Sequence, residues 1–170
     1  MKIRAVLPRD VAGILDLFES VAAENLWLAT EPGFDREQYR EFISLSSQRT
    51  QQTVAFVAVA GRKTIAGHIS ASRDADSGRW SLGMLVAKEY RRLGAGSALL
   101  EILIEWAQKA KVSELYLEVF PHNESALALY RRFGFLQRAY HKKQLLRRSG
   151  ELWDTIEMVL AVRDIPPPKN

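Results

Sequence analysis

Residues 85–100 of this chain carry an apolar run, Leu85-Val86-Ala87, then the turn Arg91-Arg92-Leu93-Gly94-Ala95-Gly96, then an apolar-periodic segment from Ser97. An Arg-x-x-Gly-x-Gly turn between a strand and a helix leaves backbone N–H groups free at the helix start. Those donors and the helix dipole suit an anion with several oxygens, such as a pyrophosphate. The glycines let backbone approach the ligand, and Arg91 and Arg92 add positive charge. Taken alone, such a hexapeptide is ordinary turn chemistry. A second segment follows about thirty residues later. Leu115–Phe120 reads as a strand, Pro121-His122 breaks it, and Asn123 is a good helix N-cap. The short helix after it has Ala126, Leu127, Leu129, Tyr130 and Phe133 as its apolar positions, and Gly134 stands where a C′ glycine belongs.

The elements that must position these two segments follow from periodicity and turn residues. Lys2–Leu7 reads as a first strand. A helix over about 11–23 turns Ile14, Leu15, Leu17, Phe18 and Val21 inward. A loop over 25–34, broken at Pro32-Gly33, leads to a second helix capped by Asp35 and running to about Leu45. Strands at 53–60 and 64–72 form a hairpin across Gly61-Arg62-Lys63. A fourth strand spans 79–86. The helix over 94–110 points Leu99, Leu100, Leu103, Ile104 and Ala107 at the core. Segments 137–146 and 152–162 close the chain as a hairpin. This order predicts one α/β (α+β) domain over 1–163, a mixed sheet with helices on both faces. Residues 164–170, with three prolines, are expected to fray.

The paired segments, Arg91–Gly96 and Asn123-x-x-Ala-x-x-x-Tyr-x-x-x-Gly-Phe, resemble the GCN5-related N-acetyltransferases, the GNAT superfamily. The opening Ile-Arg…Pro-Arg-Asp and the closing Asp-Thr-Ile-Glu-Met-Val-Leu extend the resemblance over nearly the whole chain. It implies a mostly antiparallel seven-stranded sheet in which strands 4 and 5 splay apart. Acetyl-CoA would enter the gap from one side and an amine from the other. Leu85, Val86, Arg91, Arg92, Gly94, Ala95, Gly96, Ser97, Asn123 and Tyr130 would then hold the cofactor, and Arg131 or Arg132 its 3′-phosphate. Many members carry proline at the position of Lys88 and glycine at that of Arg92. Retaining the turn with arginine there requires Arg92 to take ordinary negative φ.

Acetylating an amine requires a neutral nucleophile, a stabilised oxyanion and a proton for the leaving thiolate. Deprotonating a lysine-like amine at pH 7 costs roughly 4–5 kcal/mol, against about 1–1.5 kcal/mol for a peptide α-amine. A general base therefore matters most for lysine-like acceptors. In Leu-Glu-Val-x-x-x-Asn the chain looks like the ribosomal-protein N-terminal acetyltransferases of the superfamily, which makes Glu118 the candidate base. Its competing reading is a solvent-facing carboxylate that shares a strand face with Tyr116. His68 is a second candidate proton acceptor. The resemblance makes Tyr130 the candidate acid, beside a plain packing role with Leu127 and Phe133. A backbone N–H near Val86, at a bulge of the fourth strand, is expected to meet the oxyanion. For the acceptor, Trp27, Phe34 and Trp153 offer an apolar wall, and Glu24, Glu31 or Glu151 could hold an ammonium. The small-molecule and amino-acid branch is the nearer likeness, with a protein N-terminus and a non-catalytic acyl-CoA-binding regulator as alternatives.

Composition narrows the field. The chain has 170 residues and no cysteine, so disulfides, thiolate metal sites and a cysteine nucleophile drop out, and no metal is expected. The net charge of +4 is spread in small clusters rather than one stripe, which argues against a nucleic-acid partner. No stretch reads as a signal peptide or membrane span, so a cytoplasmic enzyme is expected. An edge strand or the closing hairpin offers a place for a homodimer.

Overall fold

The computed structural model describes residues 1–47 and 52–165. Most of the predicted tail, 166–170, therefore lies outside the described residues. Seven strands form one sheet in the order β1-β2-β3-β4-β5-β7-β6: β1 Lys2–Ala5, β2 Thr53–Ala60, β3 Thr64–Arg73, β4 Trp80–Val86, β5 Glu114–Val119, β6 Leu136–Leu146 and β7 Leu152–Ala161. Every neighbouring pair is antiparallel except β4 and β5. Those two pair only at Trp80↔Leu115 and Ser81↔Tyr116. Beyond that point the strands diverge, and the rest of β4 faces a gap.

Four helices cover the faces: α1 Val11–Ala23, α2 Arg36–Ser47, α3 Ala95–Lys109 and α4 Glu124–Arg132. The apolar stripe of α3, Leu99, Leu100, Leu103, Ile104 and Ala107, is buried as its spacing requires, against Phe56, Ile69, Leu82, Leu115 and Met158. Leu127 and Tyr130 of α4 join the same cluster. On the opposite face Ile14 and Leu15 of α1 pack on Ala55, Val57 and Val59, while Leu17 and Val21 pack on Leu85. Asp35 caps α2, its Oδ1 accepting from Glu37 N and Gln38 N at 2.9 and 3.1 Å. Register is interrupted in the β2–β3 pairing at Ala58/Val59 and twice along β6, at Gln137/Ala139 and His141/Leu145. β4, in contrast, pairs with β3 from Trp80 to Val86 without a shift, so the expected bulge there is absent.

His68 lies on β3 opposite Val57 and Leu85, buried on the α1 side, and its Nε2 has no protein partner. Burial lowers its pKa from 6.5 to about 4. The unfolded chain therefore binds a proton first as pH falls. The stability tied to neutral His68 is complete above pH 6.5, declines as pH drops toward 4, and totals about 3 kcal/mol. Carboxyls held low by arginines, Asp10 by Arg4 and Glu24 by Arg91, weaken the fold in the same acid direction. Urea unfolding at pH 7.5 and 4.5 should lose less stability on acidification in His68→Leu than in the wild type. Equal losses in both would refute the assignment.

Candidate active site

The turn after β4 brings the backbone to the gap. Ala87 N–H donates to Ala66 O of β3 at 2.9 Å. Strand alternation then directs the N–H and C=O of Val86 to the other edge, toward β5. Arg91 Nε donates to Val86 O on that side at 3.0 Å. The open edge of β4 thus exposes an N–H at Val86 without any bulge. Arg92 has φ +64 and Gly94 φ +87. The prediction of negative φ at Arg92 is corrected: two left-handed residues, with Leu93 between them, curl the turn so that its backbone N–H groups can converge. A non-glycine residue accepts this at a cost of about 1–2 kcal/mol. Gly94 is the N-cap of α3 and supplies no side-chain cap, so the first N–H groups of the helix remain available. Gly96 permits close packing: a Cβ there would lie 3.1 Å from Leu129 of α4 and 3.6 Å from Met84.

Beside this turn lies a cleft of about 900 Å³. Of the residues that the sequence resemblance assigns to the cofactor, Val86, Arg92, Gly94, Gly96 and Ser97 line it, with Asn123 and Tyr130 of the second segment. Leu85 and Arg91 also reach it; Ala95 is buried and does not. Asn123 caps α4, its Oδ1 accepting from Ala126 N at 3.3 Å. Arg132 Nη2 donates to Ser97 Oγ at 2.5 Å, fastening α4 to the start of α3, while Arg131 is exposed. Tyr130 is 6% exposed, with Phe135 5.6 Å from its ring. Burial pushes its phenol far above the usual value, so it is a protonated hydroxyl at any working pH.

Glu118 lines the same cleft from β5 and is solvent-exposed. It stands opposite Glu157 of β7, whose carboxylate takes Arg79 Nη2 at 3.0 Å, and the Arg79 guanidinium lies 4.0 Å above the Tyr116 ring. Arginine thus compensates the second carboxylate, leaving Glu118 as the acid in the cleft wall. His68 is not among the lining residues.

The acceptor side departs from the sequence-based expectation in several places. Trp27 lines the cleft, but Phe34 packs on Phe18 and Tyr39 at 5.4 and 4.7 Å, outside it. Trp153 stands behind the wall, edge-on to Phe120 and His122 at 5.1 Å each. Glu24 and Glu31 are not free to hold an ammonium. Glu24 takes both Arg91 amino groups, at 2.8 and 2.5 Å, and Trp27 Nε1 at 2.7 Å. Glu31 accepts from the Arg148 backbone N–H at 2.9 Å and sits 3.5 Å from Arg147. Glu151 accepts from Trp153 Nε1 at 3.3 Å. Arg91 therefore serves to tie the end of α1 to the end of β4 and is less available to an anion than the sequence suggests. Leu28, Gln144, Leu145 and Thr155 line the cleft without having been singled out, because their positions depend on the packing of distant segments.

A strand–turn–helix with an uncapped start, set beside a gap between splayed strands, is the arrangement the sequence resemblance implies. The acetyltransferase (GNAT) family model matches residues 19–135, more than half of the chain. The chain belongs to the GNAT family. Among curated GNAT proteins, the [ribosomal protein bS18]-alanine N-acetyltransferase of Escherichia coli K12 is 38% identical over 77 residues, 45% of this chain and 51% of that protein. Streptothricin acetyltransferase A of Bacillus subtilis is 29% identical over 120 residues, 68% of this chain and 69% of that protein. The chain thus spans only about half the length of the first of these relatives. The yncA structure of Salmonella typhimurium, solved with its cofactor acetyl-CoA, superposes with a TM-score of 0.85 at 17% identity, covering 99% of this chain and 98% of that one. Among the described residues, no helix is long and apolar enough to cross a membrane, and no cluster of His, Cys, Asp or Glu is placed to hold a metal.

Proposed function

We propose that this chain is an acetyl-CoA-dependent N-acetyltransferase that acts in the cytoplasm on a primary amine by direct attack in a ternary complex. The acceptor is a small molecule such as an amino acid. The observation that carries this reading is a single cleft lined by an uncapped helix start, by Tyr130 of α4 and by Glu118 of β5. Its volume falls within the range of small-molecule sites. Acetyl-CoA would supply a thioester carbon at which a C–N bond forms as the C–S bond breaks. The N–H groups after Gly94 hold the pyrophosphate, with Ser97 and Arg132 at the rim. Glu118 accepts the proton shed by the amine, directly or through water. The Val86 N–H faces the developing oxyanion. Tyr130 donates its hydroxyl proton to the departing sulfur; the same burial that holds the phenol protonated also raises the proton affinity of a thiolate formed there. The streptothricin acetyltransferase supports a small acceptor. The bS18-alanine enzyme, 38% identical over 77 residues, and the likeness of Leu117-Glu118-Val119 to the N-terminal acetyltransferases favour a peptide α-amine as the second reading.

Thiol release from acetyl-CoA, followed with a chromogenic disulfide reagent over free amino acids, polyamines, aminoglycosides and short peptides, tests this. The chain contains no cysteine and adds no thiol background. Turnover of one class names the acceptor; no turnover with any amine, despite acetyl-CoA binding, rejects the proposal. With the acceptor in hand, Glu118→Gln should lower kcat/KM by about 10²-fold. The loss should grow as pH falls and the amine is increasingly protonated. A variant profile that parallels the wild type at every pH would remove Glu118 from proton transfer.

A further inference from the structure

Arg147 sits where β6 turns into β7, and reads in the sequence as one of two arginines in a charged turn. The structure buries it to 3% exposure. Its guanidinium reaches across to the α1–α2 loop. Nη1 donates to Leu28 O at 2.9 Å and to Ala29 O at 3.2 Å, and Nη2 donates to Asn25 Oδ1 at 2.6 Å. Its plane lies 4.2 Å above the Trp153 ring. Glu31, 3.5 Å from Nε, is the one carboxylate ion-paired with it among the described residues. Arg148 continues the seam, with Nη1 donating to Pro32 O at 2.6 Å. On the other flank His122 Nε2 donates to Leu26 O at 2.7 Å.

The loop that Arg147 grips supplies Trp27, Leu28 and Ala29 to the cleft, and β6, which ends just before Arg147, supplies Gln144 and Leu145. One side chain thus bridges the two walls of the acceptor half. A buried cation satisfied mainly by carbonyls costs more to bury than an apolar side chain of similar size. What the guanidinium provides instead is geometry, because its planar fork meets three oxygens at fixed angles, which an ammonium cannot reproduce.

We propose that Arg147 is the positioning residue of the acceptor site: by tying residues 25–29 to the β6–β7 hairpin it sets the spacing between the walls that receive the amine. This rests on the acetyl-transfer reading above. It predicts a defect in acceptor binding with the cofactor half intact.

Three chains decide it: Arg147→Lys, Asn25→Gly and the double variant. Asn25 has φ +52, which glycine adopts without strain, so Asn25→Gly removes a contact of Arg147 while keeping the backbone turn. The probes are L-alanine, an alanine-initiated hexapeptide and acetyl-CoA, with hydrogen exchange read at amides 26–31. Arg147→Lys should raise the acceptor KM about tenfold and speed loop exchange, with the acetyl-CoA Kd within twofold of wild type. Asn25→Gly should raise KM about threefold. The double variant should be no worse than Arg147→Lys, since both remove the same link. If Arg147→Lys does not fold, Asn25→Gly carries the test by itself. Unchanged KM and unchanged loop exchange in a folded variant would overturn the proposal. If the wild-type chain turns over neither amine, the transfer reading is in doubt, and loop exchange in Arg147→Lys still decides whether Arg147 positions the wall.

Discussion

Gly94→Glu is expected to bind acetyl-CoA about 10²–10³-fold more weakly than the wild type while remaining folded. The reasoning starts from what a side chain would meet. A Cβ built on Gly94 meets no atom beyond its own chain neighbours within 4 Å, so packing does not exclude it. The φ of +87 charges a non-glycine residue about 1–2 kcal/mol, which a chain of this size tolerates. The side chain would instead project toward the start of α3, where the proposed pyrophosphate lies. A carboxylate about 4 Å from a phosphate oxygen costs about 4 kcal/mol at an effective dielectric of about 20. Gly94→Ala separates the contributions: it carries the backbone strain but no charge, so its affinity loss should be markedly smaller. Isothermal titration with acetyl-CoA reads both variants. Wild-type affinity in Gly94→Glu would show that the anion sits elsewhere.

Tyr130→Phe is expected to lower kcat by about 10²-fold and to leave acetyl-CoA affinity within twofold. The ring is buried against Phe135 and belongs to the core cluster that α3 and β5 form, so phenylalanine fills the same space. Only the hydroxyl is lost, and with it the proton we propose for the leaving thiolate. The thermal midpoint should stay near that of the wild type. Single-turnover and steady-state rates, compared in the two proteins, locate the loss at the chemical step. A variant that turns over as fast as the wild type would reduce Tyr130 to packing.

The local structure of the half of the cleft proposed for the cofactor was legible because it is contiguous in sequence. The apolar spacing of α3, the Asn123 cap and the glycine turn are all written in contiguous residues. Arg92 is the exception inside that half. A residue-by-residue preference favours negative φ, but the turn as a whole needs a left-handed residue there, and the whole prevailed. The acceptor half depends on contacts distant in sequence. Arg147 and Asn25 are 122 residues apart, and Arg91 and Glu24 are 67 apart. No spacing rule joins such pairs, so Glu24 and Glu31 read as carboxylates able to hold an ammonium, and nothing in the sequence marks Arg147 for the cleft. Phe34 misled for a related reason: an aromatic near a loop fits a ligand wall as well as it fits the flank of a neighbouring helix, where Tyr39 and Phe18 hold it.

The two irregularities along β6 bear on how copies of the protein meet. A sheet that ends in a long, regular strand invites another chain to add to it, and β6 is the longest strand at an end of this one. Its register breaks near Gln137 and again between His141 and Leu145, where Lys143 takes φ +52. Each break twists the outer hydrogen-bonding groups out of line, and Arg138, Lys142 and Lys143 add like charge along the same strand. At the opposite end β1 offers only four residues. Among the described residues, neither border of the sheet presents a long regular template for continuous pairing, which disfavours the addition of a further strand at either edge.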